Sequence, residues 1–526
     1  MKDVRAFQQL YRDGKVNRRE FLTVMGALGF SAATAGSLLG SAGALAATPR
    51  RGGSVRMASN LHGPDDQMDP IVFTSNIDYS RGRATYNGLI QIRDNMVLAP
   101  ELAEEWSVNA NATEFTFKIR KGVHFHDGST LTADDVVWSM RRHLGKKSPS
   151  VIKAFFTNVK EWKKVDAYTV KAILTSPDSD LPAKLGEKQA KIVKKDTKDF
   201  KKGNGTGPFL LESFQPGVRS THARNKDYWR DGPNLDALEM TAITDPIARV
   251  NALLAGDVQL ISNIDAKQVR LVQKNPETRL ISQETGLYGG ICCLKNTAPG
   301  KNDDFVMGLR LIQDRERIVR SILKGHGRVG NDHPISPAYG ADHCSELPQR
   351  KYDPDKAKWH LKKSGYTTAE LFVAPVMVGI EDASLLMQAN LKKIGFDLRL
   401  KKVPTDGYWG AVWMKEPLNV VTWNMRPTAN AMLAIQFAPH AKWNDTFWNS
   451  DRMGFLLKAS LAETDQKKRH EMLCEMQNLV HNESGMVIPY HVNQLDGTHK
   501  SVHGIPHQPL GALGGAEWPE FAWIDA

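Results

Sequence analysis

The sequence predicts an α/β protein of more than one domain. Three observations carry that prediction. Glu114 to His143 sets out a strand, a turn and a capped helix in quick succession. Strand-like and helix-like patterns then recur to the end of the chain. At 526 residues the chain is also too long for one ordinary domain and suits two or three.

In that first stretch Phe115, Phe117 and Ile119 alternate with Thr116, Lys118 and Arg120. This is the period-2 pattern of a strand with one buried face. Lys121-Gly122 interrupts it, Val123 and Phe125 resume it, and Asp127-Gly128 turns the chain. Thr132 is the expected N-cap, with Asp135 in capping-box position. Val136, Val137, Met140 and Leu144 follow at helical spacing.

Upstream, Gly53 to Ser59 is an expected strand that leads into a loop from Asn60 to Asp69. Downstream, Trp162 to Leu174 suggests a strand pair and Leu181 to Val193 a helix or loop. Gly205-Thr206-Gly207-Pro208 marks a break, and its glycines suit a chain passing through tight backbone space. Arg249 to Asp257 belongs to a helix-turn-strand. Tyr352 to Lys358 opens a capped helix that ends at Ser364-Gly365. Leu371 to Val378 is an expected strand, Leu385 to Ile394 a helix stopped by Gly395, and Phe396 to Lys401 a strand. Val420 to Trp423 is a strand buried on both faces. A long helix from Asp465 to His481 precedes a strand from Met486 to Tyr490.

Composition is that of a globular chain, 41% apolar and 24% charged. Net charge is +11, of which +3 falls in the first 46 residues. The basic residues are scattered. The nearest run, Lys191 to Lys202, is interleaved with Asp196 and Asp199 and is expected to be solvated, so no nucleic-acid partner is implied. Cys292 and Cys293 are adjacent and would point to opposite faces of a strand, which disfavours a bridge between them. One bridge, for example Cys344 to Cys474, is allowed in an oxidising compartment, and the sequence alone does not decide it.

Asn17-Arg18-Arg19-Glu20-Phe21-Leu22 resembles the twin-arginine export motif, and Ala44-Leu45-Ala46 fits the small-x-small cleavage rule. The intervening run holds Gly26, Gly29, Gly36, Gly40 and Gly43, too many for a good membrane helix. Residues 1–46 are therefore expected to be a signal peptide cleaved near Ala46. The mature protein is expected in the periplasm, without a lipid anchor.

Few residues invite chemistry. His124, His126 and Asp127 form the most metal-like cluster, and a structural role in a strand and turn is the favoured reading. There is no H-E-x-x-H, no G-x-S-x-G and no phosphate loop. Asp65-Asp66 and Asp303-Asp304 are expected to be solvated. Tyr408, Trp409, Trp413, Trp423, Trp443, Phe447 and Trp448 are different: so many aromatic residues so close together suggest an apolar-walled ligand pocket.

Lys121 to Ser139 reads K-G-V-x-F-H-D-G-x-x-L-T-A-D-D-V-x-W-S. It resembles the signature of the dipeptide- and oligopeptide-binding proteins of peptide-type ABC importers, solute-binding protein family 5. Met68-Asp69-Pro70, Leu98 to Trp106, Gly205 to Phe209, Asn225 to Trp229 and Gly325 to Pro337 are similar to further stretches of that family.

The resemblance runs from about Arg51 to about His491. It implies a two-lobed periplasmic-binding-protein fold (type II, large peptide-binding cluster) with an extra α+β subdomain inserted in the first lobe. The implied boundaries are lobe I at 47–90 and 203–295, the insert at 91–202, lobe II at 296–484, and a return to lobe I with a tail at 485–526.

The implied function is capture of a peptide or peptide-like solute by hinge closure and delivery to an ABC permease driven by ATPase subunits. No cofactor or metal is implied, and a monomer is expected. Relatives place an aspartate after the strand that ends at Trp423, to pair with a peptide's α-ammonium. Here that segment reads Asn424-Met425-Arg426. Arg426 points to an anionic end on the solute: an acidic or blocked peptide, an opine-like conjugate or a sugar phosphate. The expected ligand-binding residues are Asn60, His62, Tyr408, Trp409, Trp423, Asn424 and Arg426, and none is expected to be catalytic. The alternative is a periplasmic hydrolase or other enzyme on the same lobes.

Overall fold

The alternation at Phe115, Phe117 and Ile119 produces the strand Glu114–Ile119, with all three side chains buried. It lies in a four-stranded antiparallel sheet with Ala103–Val108, Thr169–Leu174 and Val159–Asp166. Helix Ala133–Arg141 packs on this sheet. Its cap is as expected: the Asp135 carboxylate accepts from the Thr132 N–H at 2.9 Å and the hydroxyl at 3.1 Å. One local expectation fails. Val123 and Phe125 do not resume the strand; the segment pairs only through a bridge from His124 to Thr130, although both apolar side chains are buried. Gly122 and Gly128, both at positive φ, bend the chain too often for a strand to continue.

The structure is a computed structural model and describes residues 49–59, 66–405 and 407–525. Arg18, Arg19, Ala44, Ala46, Asn60 and His62 lie outside the described residues.

An eleven-stranded sheet runs through the rest of the molecule. At one side it holds Ser54–Ser59, Leu260–Ile261, Ala237–Ala242, Arg219–Arg224 and Phe209–Gln215. At the other it holds Leu418–Trp423, Thr368–Val373 and Asp397–Lys402. Two long antiparallel strands, Thr278–Cys293 and Met486–His499, join the sides, and the short strand Gly327–Val329 pairs with the second of them as the eleventh. Leu260 and Ile261 pair with Thr498 and Gly497 at one end. Tyr288 to Cys293 pairs with Trp423 to Leu418 at the other. Register shifts fall between Glu284 and Tyr288 and between Gly289 and Ile291. Such irregularities bend a ladder, and both fall within the two strands that join the sides. Separate apolar cores fill the two sides: one around Leu371, Leu398 and Phe305, another around Val55, Met240 and Trp518.

The tight return is visible at Gly205. A Cβ there would sit 1.9 Å from the Thr85 carbonyl oxygen. His126 turns its two ring nitrogens to the carbonyls of Gly203 and Gly207, at 3.1 and 3.0 Å, so it pins this return. Residues 194–202 are half-buried or exposed, as expected of a solvated run, but two expectations of solvation need correction at single residues. The Asp66 side chain is buried and takes two hydrogen bonds from Arg81, at 2.8 and 2.6 Å. Lys191 is buried, and burial lowers its pKa. Asp66 also accepts from the distant Gly217 N–H at 2.9 Å, and the Lys191 backbone bridges to Gly88, contacts that a local charge count does not see. Among the described residues, no helix is long and apolar enough to cross a membrane. Cys344 and Cys474 form a disulfide, while Cys292 and Cys293 are free and buried.

Candidate functional site

The strand Leu418–Trp423 is buried along almost its whole length and sets Trp423 opposite Tyr288 of the joining strand. Around it the aromatic residues make a chain of edge-on contacts. Tyr408 meets Trp409 at 5.4 Å between ring centroids and Trp409 meets Trp413 at 5.7 Å. Trp413, Trp423 and Trp443 then touch one another at 6.1 to 6.4 Å. Edge-to-face geometry sets the positive ring edge against a neighbour's negative face. Trp409 and Trp443 remain 45% and 42% exposed. These are large apolar surfaces left uncovered at one rim of the cluster.

The cluster is organised by a carboxylate that the sequence did not single out. Asp445 is buried and accepts from the indole N–H of Trp423 at 2.9 Å and of Trp413 at 3.3 Å. Gln436 donates to its other oxygen at 3.4 Å and accepts from the Tyr288 hydroxyl at 2.6 Å. Tyr288 stands on the joining strand, so the aromatic wall is tied to the passage between the halves. Burial raises the Asp445 pKa to about 6, against the lowering effect of its hydrogen bonds. Its signal in the sequence was weak, a lone aspartate between Asn444 and Thr446.

The expected site residues divide. Trp423 is buried within the cluster, and Asn424 is exposed just beyond it. Tyr408 is buried, with its hydroxyl donating to the Val420 carbonyl at 2.8 Å, so it braces the strand. Trp448 stacks edge-on against Phe437 inside the core and Trp409 faces outward. The Arg426 N–H donates to the Tyr339 hydroxyl at 3.1 Å. Its guanidinium has no carboxylate partner among the described residues. Gly286 on the joining strand lies directly under this segment: a Cβ there would be 2.6 Å from the Tyr339 ring and 2.9 Å from Met425.

The halves also meet through charge. Asp178 to Asp180, beside the four-stranded sheet, reaches the far side. The Ser179 N–H donates to the Leu461 carbonyl at 2.8 Å. Asp180 accepts from Thr428 and is paired with Arg469. Arg469 also faces Asp342 at 3.4 Å, and Asp342 accepts from the Ala429 N–H at 3.0 Å. Burial raises the Asp342 pKa even beside Arg469. Asp180 thus ties the segment beside the four-stranded sheet to the side that holds Leu418–Trp423.

A family model described as bacterial extracellular solute-binding proteins, family 5 Middle, matches residues 97–443. The chain is 26% identical to a di/tripeptide-binding protein 1 of Pseudomonas aeruginosa, over 90% of this chain and 96% of that protein. Among solved structures it is similar to HbpA2 from Haemophilus parasuis, with TM-score 0.80, 22% identity, and coverage of 90% of this chain and 100% of that one. It is also similar to a binding protein of A. tumefaciens R10, AgaA, solved with agropinic acid. There the TM-score is 0.70, with 22% identity over 90% of this chain and 99% of that one.

Proposed function

Since this chain belongs to the bacterial extracellular solute-binding proteins of family 5, we propose that it captures a solute with an anionic end between its halves, in the periplasm, and passes it unchanged to an ABC permease. The observation that carries the reading is Arg426. It stands just past the strand Leu418–Trp423, beside the joining strand, with its guanidinium unpaired among the described residues. A guanidinium offers a planar pair of donors that fits a carboxylate or phosphate. Trp423, Asn424 and the exposed face of Trp409 are proposed to supply the rest of the surface.

Relatives named for di- and tripeptides, and one solved with agropinic acid, support peptides and opine-like conjugates as the first solutes to try. Micromolar capture needs about 8 kcal/mol, which one charge-assisted pair with apolar burial can supply. The test is a thermal-shift screen of acidic and blocked peptides, opines and sugar phosphates. A solute at a hundred times its dissociation constant adds about 2.7 kcal/mol of stability. Arg426→Ala is expected to weaken the best hit at least tenfold; affinity within about twofold of the unaltered protein would refute the assignment.

A further inference from the structure

The disulfide between Cys344 and Cys474 has two further ligand-type side chains around it. Helix Gln466–Glu483 carries His470 and Cys474 four residues apart, on one face. The loop after Pro337–Asp342 carries Cys344 and Glu346. The Glu346 carboxylate oxygen lies 3.5 Å from the Cys344 sulfur and 3.6 Å from the Cys474 sulfur. His470 Nε2 lies 3.4 Å from the Cys474 sulfur and 3.6 Å from that same oxygen. Cys344, Glu346 and Cys474 converge closely enough to share one metal ion.

Four donors around a tetrahedral zinc stand about 3.4–3.8 Å apart, given metal–ligand distances near 2.0–2.3 Å. Every separation quoted above falls in or close to that range. Only the bonded sulfurs are too close. The imidazole is already oriented: His470 Nδ1 donates to the Ala341 carbonyl at 2.9 Å, which leaves the Nε2 lone pair facing the sulfurs. Glu346 is exposed and Cys474 half-buried, so an ion can enter from solvent.

We propose that this cluster is a redox-gated metal site, closed as a disulfide when oxidised and open to one zinc-like divalent cation when reduced. A dithiol reductant supplies two electrons and two protons; the protein S–S bond breaks and the reductant closes into its own disulfide. Metal binding then releases both thiol protons and yields a set of two thiolates, one imidazole and one carboxylate. The metal replaces the covalent clip between the loop and the helix. Asp342, which ends the turn just before this loop, pairs with Arg469 on the helix, and Arg469 also pairs with Asp180.

The test is a cobalt titration of the mature protein, reduced with a dithiol and desalted without oxygen. One cobalt per chain is expected, with a thiolate-to-cobalt absorption band that zinc abolishes, and no band before reduction. Cys344→Ser should lose the band. His470→Ala and Glu346→Gln keep both cysteines and should weaken binding at least about tenfold, with unchanged circular dichroism when oxidised. The proposal is overturned if the reduced protein shows no band, if Cys344→Ser keeps the band in full, or if both surface variants bind as tightly as the unaltered protein.

Discussion

Asp445 makes the most specific demand at the scale of single residues. Its folded pKa of about 6 stands above the roughly 3.9 of a free aspartate. Between those values the folded chain holds a proton that the unfolded chain has lost, so this group's share of stability falls as pH rises from about 4 to about 6. Above pH 6 the cost is fully present. Relative to Asp445→Asn, the unaltered protein should therefore gain stability when urea unfolding is repeated at pH 5 instead of pH 7. Tryptophan emission should also step near pH 6, because both indole N–H groups donate to this carboxylate, and the step should vanish in the variant. The aromatic cluster was legible in the sequence from its density alone. Asp445 was not, because its neighbours come from helix Ala429–Phe437 and from Trp413, contacts that only folding creates.

Among elements, the capped helices and alternating strands were legible because each is specified within its own residues. Thr132 and Asp135, or Asp353 and Gly365, mark helix ends by local hydrogen bonds and backbone geometry. The joining strands were not. The expected strand at Met486 to Tyr490 runs on to His499 through polar residues, which pair with equally polar ones: Asn493 with Glu284, and Gln494 with Gln283. No apolar period announces such a strand. The same holds for Arg310. It is buried and donates to the carbonyls of Val480, Asn482, Ser484 and Met486, at the end of helix Gln466–Glu483. Burial lowers its pKa to about 10. Arg310→Met leaves those carbonyls short of donors and should cost about 2–4 kcal/mol in denaturant unfolding. A loss below 1 kcal/mol would show that water replaces the guanidinium there.

For the whole molecule, the sequence carried the two-lobed plan only through its resemblance to a family. The contacts that hold the halves together come from residues far apart in the chain, such as Asp180 and Arg469. Asp180→Ala should leave both cores intact and favour the open arrangement. If the closed form becomes about tenfold rarer, the apparent affinity for solute weakens by the same factor, which calorimetry would read. An unchanged affinity would remove Asp180 from the closure contacts. Solution scattering tests the central claim most directly. The radius of gyration of the mature protein should be larger without solute and should fall on adding the solute found by thermal shift. The same radius with and without saturating solute would contradict capture by closure.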